Sequence, residues 1–263
     1  MFKRELKVNL KSFLIWMIVT LAMFLFVFLM YPSIVNSENI KLIDQMMEVF
    51  PKELLIAFNM DIASMDSAYG WLKSEGFVFI LLIVGCYSGI MGSTVLLKEE
   101  SDKTIEYLNS LPVKRHHIVI SKVLASLVYI SSMILILAVF NFIGLEISGD
   151  FDRKQYLLLS LTPFLSSFVI FFICMFLSTF THKTKKMLGI SFGIVLISYL
   201  LQVLSQIADT VEFLKYFSIF TLSNIREVIL SSSISPLSIV ISICLSGVFL
   251  LLTLYRYNKK ELL

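Results

Sequence analysis

Charged residues are scarce in this chain and are absent from the interiors of its long apolar runs. Asp, Glu, Lys and Arg make up 16% of the 263 residues, and they cluster between the apolar runs. Ionisable groups inside a membrane usually mark proton relays, ion sites or pathways for charged substrates. Their absence argues against a proton- or sodium-coupled secondary transporter. The small net charge of +3 also gives no basic surface for nucleic acid, so no nucleic-acid partner is expected.

Cysteine and histidine are also rare, which limits metal and redox chemistry. Each of the three cysteines lies inside an apolar run, where a free thiol behaves as a small hydrophobic group: Cys86, Cys174 and Cys244. The three histidines lie between the runs: His116, His117 and His182. An intramembrane metalloprotease would therefore lack ligands in its spans. We expect no disulfide framework and no metal site.

Motifs for nucleotide chemistry are missing as well. The chain contains no G-x-x-x-x-G-K-[ST] sequence, which is the loop that cradles the phosphates of a bound nucleotide. Any nucleotide hydrolysis must therefore come from another chain. We expect this chain to have no catalytic residue and to bind no cofactor itself.

Apolar residues, in contrast, dominate the chain. They make up 57% of it, with 23 Phe and a mean hydropathy of +0.87. This is more apolar surface than one soluble core could bury, so the composition predicts an all-α integral membrane protein. A single permease-like domain over residues 1–263 would contain six runs long enough to cross a bilayer as helices: 13–32, 76–97, 123–145, 155–181, 187–208 and 236–255.

The distribution of lysine and arginine predicts the orientation. If both termini, segment 98–122 and turn 182–186 share one side, that side holds 15 Lys/Arg and 6 Asp/Glu, against 7 and 13 on the other. The positive-inside rule then places both termini and segment 98–122 in the cytoplasm, with the chain in the plasma membrane.

The N-terminal segment 1–11 has two interpretations. Phe2, Leu6 and Leu10 recur at helical spacing on one side, and lysines lie on another. This pattern fits an amphipathic helix in the membrane interface. It also fits a simple positive flank of the first span.

Two further segments lie on the predicted outer side. Residues 38–75 have apolar positions three or four apart, which predicts one or two short amphipathic helices, with a small folded domain as the alternative. Residues 209–235 are semi-apolar, but Lys215, Arg226 and Glu227 exclude a seventh span. We expect short helices that dip into the outer leaflet there, in a supporting or a gating role.

Small and polar residues within the spans indicate helix packing. Glycines spaced by three or four form ridges on the second and fifth spans, which let helix backbones approach closely: Gly85, Gly89 and Gly92, then Gly189 and Gly193. Most polar side chains in the spans are of the kind that hydrogen-bond neighbouring helices. Asn141 and Gln202 are the better candidates for lining a pathway.

The longest charged segment between apolar runs is 98–122, and its pattern predicts a docking helix. Ile105, Leu108 and Leu111 recur three apart and form an apolar ridge suited to the groove of a partner. The charged residues around the ridge would set the register: Glu99, Glu100, Asp102, Lys103 and Glu106. Pro112 would end the helix. A solvated loop that only enforces topology is the alternative.

The sequence LLKEESDKTIEYLNSLPVKRHHIVISK, residues 96–122, resembles the segment after the second span in permeases of the type 2 ABC exporter family. The matching positions are Glu99, Glu100, Thr104, Leu108, Leu111, Pro112, Val113, Arg115 and Lys122, whereas Lys103 stands where the family most often has glycine. The resemblance implies two permease subunits, alike or different, joined to two separate ABC ATPase subunits that hold ATP and Mg. It also implies a coupling helix seated in a cleft of the ATPase, with these coupling residues: Glu99, Glu100, Asp102, Lys103, Thr104, Ile105, Glu106, Leu108, Leu111 and Pro112.

The sequence thus predicts the permease subunit of an ATP-driven exporter. An apolar, aromatic-rich interior suits a hydrophobic or amphipathic substrate, such as a peptide, an antibiotic or other drug, or a lipid. The alternative is a membrane sensor or immunity module that transports nothing and docks a cytoplasmic partner through the same inner helix.

Overall fold

The computed structural model describes residues 2–34, 67–101, 115–207 and 209–259, and all regular structure within these ranges is helical. Six of the helices are long and apolar enough to cross a membrane. Both the all-α class and the number of spans predicted from the sequence are therefore confirmed. Residues 38–66 of the outer segment predicted at 38–75 lie outside the described residues, as do residues 102–114 of the predicted coupling segment. The end of the outer segment was placed wrongly, because the second spanning helix already begins at Ala68.

The six spanning helices follow the order of the apolar runs and extend beyond them. We label the helices of the described residues α1 to α7, with a short helix, α6, before the last span. Their bounds are α1 Phe2–Ile34, α2 Ala68–Val95, α3 Arg115–Ser148, α4 Arg153–Ser178, α5 Thr184–Ser205, α6 Ile225–Ser231 and α7 Pro236–Lys259. A one-turn helix, Lys98–Ser101, follows α2. Within α2, residues Leu72–Gly76 form a π-helical stretch.

Helix α1 is continuous from its first charged residue to the end of the first span. No Gly or Pro occurs before Pro32, and the lysines and leucines of the N-terminal segment are good helix formers. The predicted interfacial helix is therefore not seen as a separate element, because the segment forms the first turns of the spanning helix.

Helices α1 and α3 are longer than a bilayer requires. They contain 33 and 34 residues, which corresponds to about 50 Å at 1.5 Å per residue. The hydrocarbon core is only about 30 Å thick. The two helices pack against each other, with their charged N-terminal ends at the same end of the bundle.

The centre of the bundle is the contact between α2 and α4. This pair packs more extensively than any other described pair of helices. Gly92 explains the close approach, because a Cβ atom there would lie 2.3 Å from the carbonyl oxygen of Phe171. The predicted ridge on α5 behaves differently. A Cβ at Gly189 or Gly193 would meet no described atom within 4 Å.

Between α5 and α7 the chain forms two 3-10 helices, Asp209–Phe217 and Ile219–Ser223, and then α6. These short helices pack back onto α4 and α5. Ser223 inserts its hydroxyl into the backbone ladder of α4, where it accepts from the N–H of Ser166 at 3.1 Å and donates to the carbonyl of Thr162 at 2.6 Å.

Pro163 makes this insertion point irregular. Because proline has no N–H, the carbonyl of Leu159 loses its usual helical donor. The hydroxyl of Thr162 replaces it at 2.8 Å. The short segment is thus joined to α4 next to the point where Pro163 already interrupts the ladder.

Candidate functional site at the hairpin end of the bundle

Several helix ends meet where segment 98–122 leaves the bundle, and we call this the hairpin end. The start of α1, the Lys98–Ser101 turn after α2, the start of α3, the turn between α4 and α5 and the end of α7 all contribute to it. It contains the ion pairs formed by the predicted coupling residues that the structure describes.

Lys122 is at the centre of this end. Its side chain is 2% exposed, although it carries a charge. The ammonium Nζ lies 3.1 Å from Oε1 of Glu5 on α1 and also forms an ion pair with Glu99 in the turn after α2. One lysine therefore joins three helical segments that are far apart in sequence.

The stability of such a cluster depends on whether every buried charge in it has a partner of opposite sign. Burying a charge without a partner costs several kcal/mol, whereas a buried charge with good partners recovers most of that penalty. Here both carboxylates are almost fully buried, with 6% and 8% of their side chains exposed. The cluster is therefore a fixed joint, because separating the helices would leave unpaired charges away from water.

Glu5 is buried because it belongs to the inward face of α1. It shares that face with Phe13, Met17, Thr20 and Phe24, which follow at helical spacing and are all buried. Phe2 and Leu10, on the apolar side predicted for this segment, are exposed on the surface of the bundle. Glu5 was missed from the sequence. Its signal is that it is the one acidic residue of the N-terminal segment and lies in register with this apolar stripe.

Additional hydrogen bonds hold α1 against the same joint. The hydroxyl of Tyr129 on α3 donates to the backbone carbonyl of Leu6. The ammonium of Lys98 donates to Oδ1 of Asn9 at 3.3 Å. These contacts fix the first turns of α1 between the end of α2 and the start of α3.

Glu100 extends the network toward the other half of the bundle. Its side chain is 3% exposed, and Oε2 lies 2.7 Å from Nδ1 of His182 in the turn between α4 and α5. His182 is half exposed, so one partner of the pair faces solvent. Glu99 and Glu100, adjacent in sequence, therefore bind in two different directions.

Helix α7 closes the network. Tyr257 is buried close enough to Glu99 and Glu100 to interact electrostatically with both carboxylates. The guanidinium of Arg256 lies 3.9 Å from the ring centre of Phe180, a cation–π contact with the α4–α5 turn. Arg115, at the start of α3, donates to the backbone carbonyl of Asn258 at 3.4 Å.

The structure describes two of the ten predicted coupling residues, Glu99 and Glu100. The other eight lie outside the described residues: Asp102, Lys103, Thr104, Ile105, Glu106, Leu108, Leu111 and Pro112. Their predicted role stays a prediction. Lys122, which was matched only to the family pattern, is described as the direct partner of Glu99.

The two candidate pathway residues have different surroundings. Asn141 is fully buried in α3, and its Nδ2 donates to the carbonyl of Leu137 one turn earlier at 2.9 Å. Gln202 on α5 lines a cavity at the opposite end of the bundle and accepts a hydrogen bond from Thr221 at 2.5 Å.

The charged side chains at the hairpin end connect helices to one another. Among the described residues no group of three or more His, Cys, Asp or Glu side chains could hold a metal ion. The carboxylates at this end are engaged by lysine and histidine. These ion pairs connect the end of α2 and the start of α3 rigidly to the rest of the bundle. We call these two helix ends the base of α2 and α3.

Comparison with known proteins agrees with this architecture. No curated protein and no solved structure shows significant similarity to the chain. The family model described as "ABC-2 family transporter protein" matches residues 1–262, almost the whole sequence. This chain, a multi-pass membrane protein with six spanning helices, is a member of the ABC-2 family of transporter proteins.

Proposed function

We propose that this chain is the permease subunit of an ATP-driven exporter, powered by a separate ABC ATPase docked on segment 98–122. Two copies of the ATPase would join two permease subunits, either two of this chain or this chain and a second permease. Both termini and the hairpin end would face the cytoplasm of the plasma membrane, as the excess of 15 Lys/Arg over 6 Asp/Glu on that side indicates.

The observation that carries the proposal is the joint at the hairpin end. Lys122 ties the base of α2 and α3 to α1, and Glu100 ties it to the α4–α5 turn. A force applied to the segment between α2 and α3 would therefore reach the whole bundle. A loop that only set the topology would not need buried ion pairs at its base.

The transport step follows from this connection. When ATP closes the ATPase dimer, the docked segment would be pushed and the bases of α2 and α3 would tilt. Because packed helices move as rigid bodies between discrete arrangements, the tilt would convert an inward-facing bundle into an outward-facing one. The exported substrate would be hydrophobic or amphipathic, since the spans are apolar and aromatic-rich.

The proposal predicts that the link between hydrolysis and transport can be broken at Glu100. In a reconstituted complex with its ATPase, Glu100→Gln removes the charge that pairs with His182. We expect transport to fall by roughly tenfold, equivalent to one charge-assisted hydrogen bond, while ATP hydrolysis persists. Leu108→Ala should uncouple the complex in the same way. The measurement is transport and ATPase rate side by side in proteoliposomes.

A matched control is available at the opposite end of the bundle. Glu146 and Arg153 form an exposed ion pair, in which Nε of Arg153 lies 2.7 Å from Oε1 of Glu146. Glu146→Gln removes the negative charge of this pair. This variant should transport normally. Normal transport by both Glu100→Gln and Leu108→Ala would contradict the proposal, as would ATP hydrolysis by the purified chain alone.

A further inference from the structure

The outward face of the first turns of α1 is positively charged. Arg4, Lys7 and Lys11 are exposed and follow one another at intervals of three and four residues, so they form one line along the helix. We call this line the cationic stripe. It lies opposite the buried face of α1 that contains Glu5 and Phe13. We propose that the cationic stripe binds the headgroups of anionic phospholipids in the membrane leaflet at the hairpin end.

The acidic residues that the structure describes at the hairpin end are directed away from this surface. They are Glu5, Glu99 and Glu100, and the side chain of each is almost fully buried. Their carboxylates bind Lys122 and His182 inside the network of the hairpin end. Among the described residues, no exposed carboxylate at this end therefore offsets the cationic stripe. The surface is more positive than the count of charged residues in the sequence indicates.

The line of the cationic stripe becomes apolar as it continues along α1. Leu14 and Ile18 follow Lys11 at the same spacing, and both are exposed. From Leu14 to Ile34, the last residue of the helix, α1 rises about 30 Å, which is about the thickness of the hydrocarbon core of a bilayer. If this part of α1 crosses the core, Lys11 and Lys7 lie about 5 and 10 Å beyond it along the helix. This is the level of the lipid headgroups.

This change from cationic to apolar along one line matches the two parts of a phospholipid. Clusters of Lys and Arg at the end of a spanning helix are typical of sites for anionic lipids, because the cations attract the phosphate groups. Long basic side chains also lay their apolar stems along neighbouring apolar surface while the charge stays with the headgroups. The exposed Leu14 and Ile18 would contact the acyl chains of the same lipid. A free anion would use the cations alone, so the continuous line favours a lipid.

The test is a fluorescence measurement on the full chain in nanodiscs that contain phosphatidylglycerol and phosphatidylcholine. Trp16→Phe and Trp71→Phe remove both tryptophans, and Ile18→Trp places a reporter on the line of the stripe. One of the two lipids at a time carries brominated acyl chains, which quench tryptophan on close contact. The ratio of the two association constants at the reporter is the lipid preference. We expect it to favour phosphatidylglycerol, and to fall as salt screens the charges.

Two double variants of the reporter chain test the role of the stripe. Lys7→Gln with Lys11→Gln should reduce the lipid preference by at least about fivefold, the contribution of one basic side chain at an anionic surface. Lys7→Arg with Lys11→Arg should retain the preference, because the charge is unchanged. The matched control is Lys154→Gln with Arg226→Gln, which removes two exposed cations from the opposite end of the bundle. It should leave the preference unchanged.

Equal association of the two lipids at the reporter would overturn the proposal, as would an unchanged preference in Lys7→Gln with Lys11→Gln. An equal loss in the control variant would show that net charge attracts the lipid, and a loss in the arginine variant would show that charge is not the cause. Either result would contradict the role of the stripe. Loss of the preference on assembly with the ATPase would show that the stripe contacts protein instead. The measurement on the chain alone needs no ATP, so its outcome is independent of the proposed function.

Discussion

At the scale of single residues, the hairpin end depends on a lysine that would be unfavourable anywhere else in the bundle. Lys122 is almost completely buried, and it is tolerated because Glu5 and Glu99 supply two carboxylates to one ammonium. Removing one member of such a cluster exposes the others to the full cost of burial. The three residues therefore act together, and their contribution to the free energy of unfolding is measured by replacing one of them.

Replacing Lys122 by methionine should destabilise the protein by about 3–5 kcal/mol, because Glu5 and Glu99 would stay buried without a cation. The measurement is the free energy of unfolding in detergent micelles. Lys98→Met is the matched control, since Lys98 is only half buried and makes a hydrogen bond of 3.3 Å to Asn9. We expect the control to lose about 1 kcal/mol or less. Equal losses in the two variants would show that the buried cluster does not act as described.

Only part of this cluster could be predicted from the sequence. Glu99 and Lys122 each matched a known pattern, yet nothing in a single sequence says that two residues 23 positions apart touch. Glu5 is farther still, 117 positions from Lys122. The register of Glu5 with the apolar stripe of α1 marks it as a candidate for burial, but the stripe does not identify Lys122 as its partner.

At the scale of helices, packing depends on which neighbour a glycine ridge meets. The sequence gives similar spacings on the second and fifth spans. In the structure, Gly92 of α2 faces the backbone of α4, whereas Gly189 and Gly193 of α5 face no described atom. Periodicity identifies a ridge but not its partner, because the partner is chosen by the tertiary arrangement of all six helices.

Gly92→Ala should therefore separate α2 from α4 and destabilise the protein by about 1–3 kcal/mol. The added Cβ would lie 2.3 Å from a backbone oxygen, which cannot move aside as a flexible side chain could. Gly193→Ala is the control at the same kind of spacing. It should be neutral, or stabilising by up to about 1 kcal/mol through helix propensity. The measurement is the unfolding temperature of each variant relative to the unchanged protein. A larger loss of stability in Gly193→Ala than in Gly92→Ala would contradict the assignment of Gly92 as the close packing contact.

At the scale of the whole molecule, the number and order of the spans could be predicted, but the lengths of the helices could not. Apolar runs mark the membrane layer, so they give the six spans. The helices extend past those runs because charged residues such as Lys7 and Lys122 continue a helix as readily as leucine does. It is these extensions of α1 and α3 that carry Glu5 and Lys122 to the joint.

The most direct test of the central claim, that a separate cytoplasmic ATPase acts on the hairpin end, is cysteine labelling in a variant without Cys86, Cys174 and Cys244. Ser101→Cys places an exposed thiol at the end of the Lys98–Ser101 turn, and Ser233→Cys places one on the opposite side of the bundle. A membrane-impermeant maleimide should label Ser233→Cys in intact cells and Ser101→Cys only after permeabilisation. In those membranes, Ser101→Cys should cross-link to a co-expressed ABC ATPase. Labelling of Ser101→Cys in intact cells, or its failure to cross-link to the ATPase of a transport-active complex, would contradict the account.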